Sequence, residues 1–204
     1  MMRLLSRAAL IVFAVSAIVT GSARAASDPT ATIRDFYATL TQTMKNGPQL
    51  GERGRYDALA PAIRQSFDLS AMAQLAVGPS WANLSPADRQ QVTEAFARYT
   101  IATYANQFSK DSGVKFEIAD QRQMPYGTLV DTQLVQPDGD KVAINYVMHQ
   151  NGGQWQVADI YLKGTISQIA TLRSQFSSVL LRDGAPGLIE ALNRKASTLV
   201  PTAS

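Results

Sequence analysis

Apolar positions keep helical spacing through the first half of this chain and strand spacing through most of the second. Asp28-Pro29 supplies a capping carboxylate and then a proline suited to the first helical position. Ile33, Phe36, Tyr37, Leu40 and Met44 follow at intervals of three and four, until Gly47-Pro48 stops the run. A polar, glycine-containing stretch leads to Tyr56-Asp57-Ala58-Leu59, and Pro61 is expected to start a short helix ending near Phe67. Asp68 caps a third helix, Leu69 to Val77, stopped by Gly78-Pro79. Ser85-Pro86 opens the longest helix, from about Pro86 to Ser109, closed by Gly113.

Past Gly113 the period changes. Lys115 to Met124, Thr128 to Gln136, Lys141 to Gln150 and Gln154 to Leu162 read as four strands. Pro125-Tyr126-Gly127, Pro137-Asp138-Gly139 and Asn151-Gly152-Gly153 separate them, and these turns join antiparallel neighbours. Val142, Ile144, Tyr146 and Met148 fall on one face of the third strand; Ala143, Asn145, Val147 and His149 fall on the other. Two helices close the chain. The first carries Ile166, Ile169, Leu172, Phe176, Val179 and Leu180 on one face and ends at Asp183-Gly184. The second runs from Pro186 to about Thr198 with Leu188, Ile189 and Leu192 inward. Helices, then a meander, then helices predict an α+β domain.

The longest helix carries two apolar stripes. Val92, Phe96, Tyr99 and Ala102 form one; Ile101, Tyr104 and Phe108 form the other, roughly opposite. A surface helix needs one apolar face. Two faces place this helix in the core between layers, or give one stripe to a cavity.

The start of the chain belongs to neither pattern. Arg3 and Arg7 precede an apolar run from Ala8 to Val19, and Ala23-Arg24-Ala25 is a small-x-small cleavage signature. Twelve residues of helix reach only ~18 Å, short of the ~30 Å core of a bilayer. Residues 1–25 therefore read as a secretory signal peptide cleaved near Ala25, with one domain over 26–200. Within that domain the helices fill 28–110, the sheet 114–162 and the closing helices 165–198. Removing the signal changes the charge. The whole chain has 19 cations and 16 anions, net +3, but Arg3, Arg7 and Arg24 leave with the signal and no anion does. The remaining 16 and 16 balance, which removes the case for nucleic acid or an anionic surface as partner. The chain has no cysteine. It is expected to rely on an ordinary core without disulfides or a lipid-anchored cysteine, as a soluble protein of a bacterial periplasm.

Candidate chemistry is sparse. His149 is the single histidine, so a zinc site is not expected, and no cofactor motif is present. His149 reads as an exposed strand residue. Asp159, in mid-strand, could cap a turn, pair with Arg173 or Lys163, or serve as a general base. A small secreted hydrolase built on His149 or Asp159 is one alternative. Another is a periplasmic interaction protein without a ligand, which the absence of an internal cavity above ~300 Å³ would favour.

Several strings in order carry a resemblance. They are Phe67-Asp68-Leu69-Ser70-Ala71-Met72-Ala73, Val77-Gly78-Pro79-Ser80-Trp81, Leu84-Ser85-Pro86 with Phe96 and Tyr104-Ala105, Trp155-Gln156-Val157-Ala158-Asp159-Ile160, Gly164-Thr165-Ile166-Ser167 and Leu172-Arg173-Ser174-Gln175-Phe176. With them the chain resembles the MlaC, or toluene-tolerance, family of periplasmic lipid-binding proteins, nearest to the hopanoid-associated HpnM-like subgroup. It departs from the usual Gly-Arg-x-Trp at Gly78-Pro79-Ser80-Trp81, and from Tyr-Arg at Leu172-Arg173. The resemblance implies a twisted antiparallel sheet of four to five strands packed against a helical layer, with an apolar pocket between them. It implies a carrier without catalytic residues or cofactor. Such a carrier moves phospholipid or a hopanoid-type lipid between an inner-membrane transporter component and an outer-membrane lipoprotein complex. Matching positions for the pocket are Phe67, Met72, Leu75, Trp81, Phe96, Tyr99, Tyr104 and Phe108; the third strand adds Ile144, Tyr146 and Met148.

Overall fold

A computed structural model describes residues 28–201. The expected signal peptide and the last three residues lie outside this range. Helix α1, Pro29–Lys45, starts on the Asp28 carboxylate, which accepts from the Thr30 N–H at 3.0 Å. Its buried face is Ile33, Phe36, Tyr37, Leu40 and Met44, as the spacing predicts.

The next stretch departs from expectation. Instead of a polar linker and a helix begun by Pro61, the chain forms one helical element, α2, over Gly47–Ser66. Only Gly51 breaks it (φ 63°, ψ −176°), and Pro61 lies inside. The inward row is Arg55, Leu59 and Ile63. A buried arginine in that row interrupts the apolar period, which is why the pattern misleads. Arg55 donates from Nε to the Ala105 carbonyl at 2.8 Å and from Nη1 to the Gly47 carbonyl at 3.1 Å. The first acceptor lies in the last turn of the longest unbroken helix, where free carbonyls and the negative dipole end favour a cation.

That helix, α4 (Pro86–Gln107), follows α3 (Leu69–Val77) and a 3-10 turn over Gly78–Asn83. The Asp68 carboxylate caps α3 through the Ala71 N–H, and Ser85 Oγ accepts from the Asp88 N–H to cap α4. Helix α4 buries Val92, Ala95, Phe96, Ala97, Ile101, Ala102 and Ala105, residues spread around its circumference. It sits inside the helical layer, against α2, α3 and the last helix.

Five antiparallel strands follow in sequential order: β1 Lys115–Met124, β2 Gly127–Val135, β3 Lys141–Asn151, β4 Gln154–Leu162 and β5 Ile166–Ser167. The four predicted strands match to within a residue at each end. The two-residue β5 is the fifth strand that the resemblance allows, although the apolar pattern marks no strand there. It folds back on β4 through Lys163 and Gly164, both with positive φ, and pairs Ile166 with Leu162 and Ser167 with Tyr161. Ile166 therefore does not face inward from a helix; it is 49% exposed on an edge strand. Helix α5 starts after it, over Gln168–Leu199, broken at Gly184 (φ 65°) into the two arms the sequence predicts.

Two clips fix the helices on the sheet. The Asp68 N–H donates to the Val157 carbonyl, and Phe67 forms a parallel bridge to Val157. Asp159 accepts from the Ser167 hydroxyl at 2.6 Å and from the Ile169 N–H at 3.1 Å, so a strand carboxylate caps the start of α5. The capping role foreseen for Asp159 is the one observed, and neither Arg173 nor Lys163 pairs with it among the described residues.

Replacing Arg55 by methionine should keep its stem packed but leave two carbonyls without donors. The expected loss is about 2 kcal/mol in urea denaturation, since bonds from a charged donor contribute ~1.5–3 kcal/mol each and its desolvation offsets part. Gly47→Ala should destabilise by ~1–3 kcal/mol, because a Cβ there would stand 2.1 Å from the Ser109 carbonyl oxygen. Asp159→Ala should lower stability by ~1–2 kcal/mol through loss of the α5 cap. In each case an unchanged midpoint contradicts the assigned role.

Candidate functional site

Between the helical layer and the concave face of the sheet lies a cavity of about 190 Å³. Leu40 of α1, Met72 of α3, Phe116 of β1, Ile144 and Tyr146 of β3, Ile160 and Leu162 of β4, and Gln168 and Leu172 of α5 form most of its wall. The rest is one stripe of α4: Phe96, Tyr99, Thr100, Thr103, Tyr104, Gln107 and Phe108. These positions recur every three to four residues, so one side of the helix lines the cavity. The small side chains Ala95, Ala102 and Ala105 are fully buried and lie outside the lining. Both readings of the two-striped helix thus hold at once. The stripes are divided differently, however: Tyr99 and Phe96 join Tyr104 and Phe108, while Ile101 and Ala102 belong to the packed side.

Seven of the eleven residues singled out from the sequence meet in this cavity: Met72, Phe96, Tyr99, Tyr104, Phe108, Ile144 and Tyr146. Phe67 and Met148 do not line it; both are fully buried in the adjoining core, with the Phe67 ring edge-on to Tyr104 at 5.7 Å. Trp81 sits on the 3-10 turn with the Arg89 guanidinium 6.0 Å from its ring centroid. Leu75 is 42% exposed, and its carbonyl accepts from Arg173 Nε. Neither reaches the cavity wall, because α3 turns only its Met72 side toward it.

Thr100, Thr103 and Gln107 escaped the sequence reading because they are polar, although each stands three or four residues from an aromatic of the same stripe. Phe116, Ile160 and Leu162 needed knowledge of which sheet face the helices cover. The lining has no charged side chain. Larger hollows exist, of about 380 and 460 Å³, but Glu94 and Arg98 line the first and Arg194 and Lys195 the second. The apolar cavity is also smaller than the ~300 Å³ at which ligand pockets generally begin. On that criterion its size stands on the side of the ligand-free alternative, and its lining distinguishes it instead. Six aromatics line it, three of them in ring contact: Tyr104 stacks on Phe108 at 5.7 Å, and Phe108 is tilted against Phe116 at 5.8 Å. Burial pushes the Tyr104 and Tyr146 phenols far above the usual tyrosine range, so both are neutral hydrogen-bonding groups.

His149 is not an exposed strand residue. It is half-buried, and its Nε2 lies 2.9 Å from the Asp68 carboxylate. Asn151 donates to the same oxygen, so the histidine belongs to the clip that holds the α3 cap over the end of β3. Asp159 is occupied at the start of α5, and the two form no common network. Among the described residues no hydroxyl bonds to His149, and no three His, Asp or Glu side chains converge as a metal site would require. No helix among them is long and apolar enough to cross a membrane.

The comparison with solved structures returns the same architecture. A phospholipid-binding protein from Ralstonia solanacearum, determined in complex with a phospholipid, superposes with a TM-score of 0.72. It is 23% identical, over 85% of this chain and 99% of that one, which shows a shared fold. The family model described as MlaC protein matches residues 34–194, from the first turns of α1 to the last turns of α5. The chain belongs to the MlaC protein family.

Proposed function

We propose that this protein is a periplasmic lipid carrier, which takes the acyl part of a phospholipid or hopanoid-type lipid into the cavity between α4 and the sheet. The observation that carries the reading is the uncharged aromatic lining of that cavity, in a chain of the MlaC family. The phospholipid held by the Ralstonia solanacearum protein supports it by analogy of fold. A C16 chain gains on the order of 10 kcal/mol on leaving water, at ~0.8 kcal/mol per methylene. A carrier crossing an aqueous compartment must supply that shelter and needs no nucleophile or metal to do so. In this reading the segment 1–25 exports the protein. An inner-membrane transporter component and an outer-membrane lipoprotein complex exchange lipid with it, and an HpnM-like specificity for hopanoids is one form it takes.

The cavity volume requires that the walls part on loading. Phe108 and Phe116 are the half-buried aromatics best placed to swing, since each packs on its neighbours mainly through ring contacts. Native mass spectrometry on protein purified from its own periplasm should reveal a co-purified lipid, and its mass identifies the class. A lipid-free protein that also takes nothing from vesicles overturns the proposal.

Narrowing the cavity is the matching structural test. Ala102 and Ala105 are unsuitable, because both are fully buried on the packed side of α4. Thr103 faces the cavity and is half-buried. Thr103→Trp should keep the circular dichroism spectrum and reduce lipid uptake from vesicles at least tenfold. Uptake at the original level places the ligand elsewhere.

A further inference from the structure

The cavity contains a polar group that shelter for an acyl chain does not require. Tyr146 of β3 is 2% exposed and Tyr104 of α4 is half-buried, both in the lining. Behind them the Tyr37 hydroxyl pairs with Thr132 Oγ1 at 2.7 Å, and the Thr132 hydroxyl donates to the Ile144 carbonyl. Tyr37 and Thr132 thus satisfy each other. The Tyr146 hydroxyl approaches both Tyr104 and Tyr37 in weak hydrogen-bonding contacts, none of which has regular geometry among the described residues. The Tyr104 and Tyr146 hydroxyls are not sealed in the core. The single sealed side-chain oxygen without a partner among the described residues is Thr128 Oγ1. The two phenolic oxygens therefore open onto the cavity.

A hydroxyl without a partner of regular geometry in an apolar cavity carries a desolvation cost that a phenylalanine would avoid. A ligand oxygen reaching the pair would remove that cost. The cavity has no cation, so a carboxylate or phosphate entering it would lose its hydration without a counter-charge. The oxygen it accommodates is a neutral one. The geometry points to Tyr104 and Tyr146 as a hydrogen-bonding subsite for a neutral oxygen on the buried part of the ligand, an ester carbonyl or a chain hydroxyl, that selects among amphiphiles of equal apolar size. This rests on the lipid-carrier reading and specifies which lipids the site prefers.

The test compares uptake from vesicles of three phosphatidylglycerols with equal chains: a diester, a diether, and a diether with one chain hydroxyl. Wild type should favour the diester or the hydroxylated diether over the plain diether by about five- to tenfold, the effect of one neutral hydrogen bond. Which of the two is favoured identifies the oxygen as carbonyl or hydroxyl. In Tyr104→Phe/Tyr146→Phe, which preserves ring packing, the preference should vanish, with the diester and the hydroxylated diether taken up no better than the plain diether. A carbonyl-labelled diester should show its C=O stretch lowered on the wild-type protein and not on the variant. Equal uptake of all three lipids by wild type overturns the subsite and leaves the carrier reading standing, as does a preference that survives in the variant. Uptake of none of them overturns the carrier reading itself.

Discussion

The structure depends on one helix that must be buried on both sides. Helix α4 faces helices with one flank and the sheet with the other, and its sequence divides the work by size. Alanines at 95, 97, 102 and 105 let the neighbouring helices come close. Bulky residues at 96, 99, 104 and 108 line the cavity between this helix and the sheet, with Phe96 and Tyr99 also meeting Phe176 and Lys195 of α5. Ridges of small residues permit close interaxial packing, and aromatic side chains keep layers apart while leaving irregular gaps. The cavity is a consequence of this division, and it is held open by the way the ends of α4 are fixed. Its start carries a serine cap, and its last turn meets the Arg55 guanidinium and the backbone of Gly47.

The unfilled volume has a thermodynamic weight. Sealed cavities among core side chains cost roughly 24 cal/mol per Å³, so a space of about 190 Å³ that opens partly to water costs less than the ~4–5 kcal/mol of a sealed one. Domains of this size are stable by only ~5–15 kcal/mol. A core under selection for stability alone would fill such a space with a few added methylenes. Here the rest of the fold compensates with polar clips: Asp68 and His149, side chain to side chain, over the end of β3, and Asp159 on the backbone at the start of α5. Both clips lie outside the cavity and hold elements that line it, Met72 through α3 and Leu172 through α5. Among the described residues the lining side chains make one regular hydrogen bond, from the Thr103 hydroxyl to the Tyr99 carbonyl.

The sequence shows this architecture unevenly. Helices α1, α3 and α4 declare themselves through caps and apolar spacing, and the meander through its turns. Helix α2 is hidden because its inward row contains Arg55, and a buried arginine that bonds carbonyls looks like a solvated one. Strand β5 is too short to carry a period. The aromatics of the site are visible as types but not as a group. Tyr99 and Phe96 separate from Ile101 only when the neighbours of α4 are known, and Thr103 and Gln107 are polar residues on an otherwise apolar wall. Trp81 and Leu75 mislead for the opposite reason: large apolar side chains next to a site are not thereby part of it.

Shelter for an acyl chain explains capture from water but not exchange with a membrane. The same methylenes are as well sheltered in a bilayer as in a protein, so the ~0.8 kcal/mol gained by each nearly cancels when a lipid passes between the two. What remains to decide which lipid moves, and when it leaves, is the small difference made by polar atoms and by strain in the walls. A wide, wholly apolar pocket would hold any chain and discriminate poorly among headgroups or linkages. For the proposed carrier, a tight cavity that parts to load, with two neutral phenols in its wall, supplies both kinds of term.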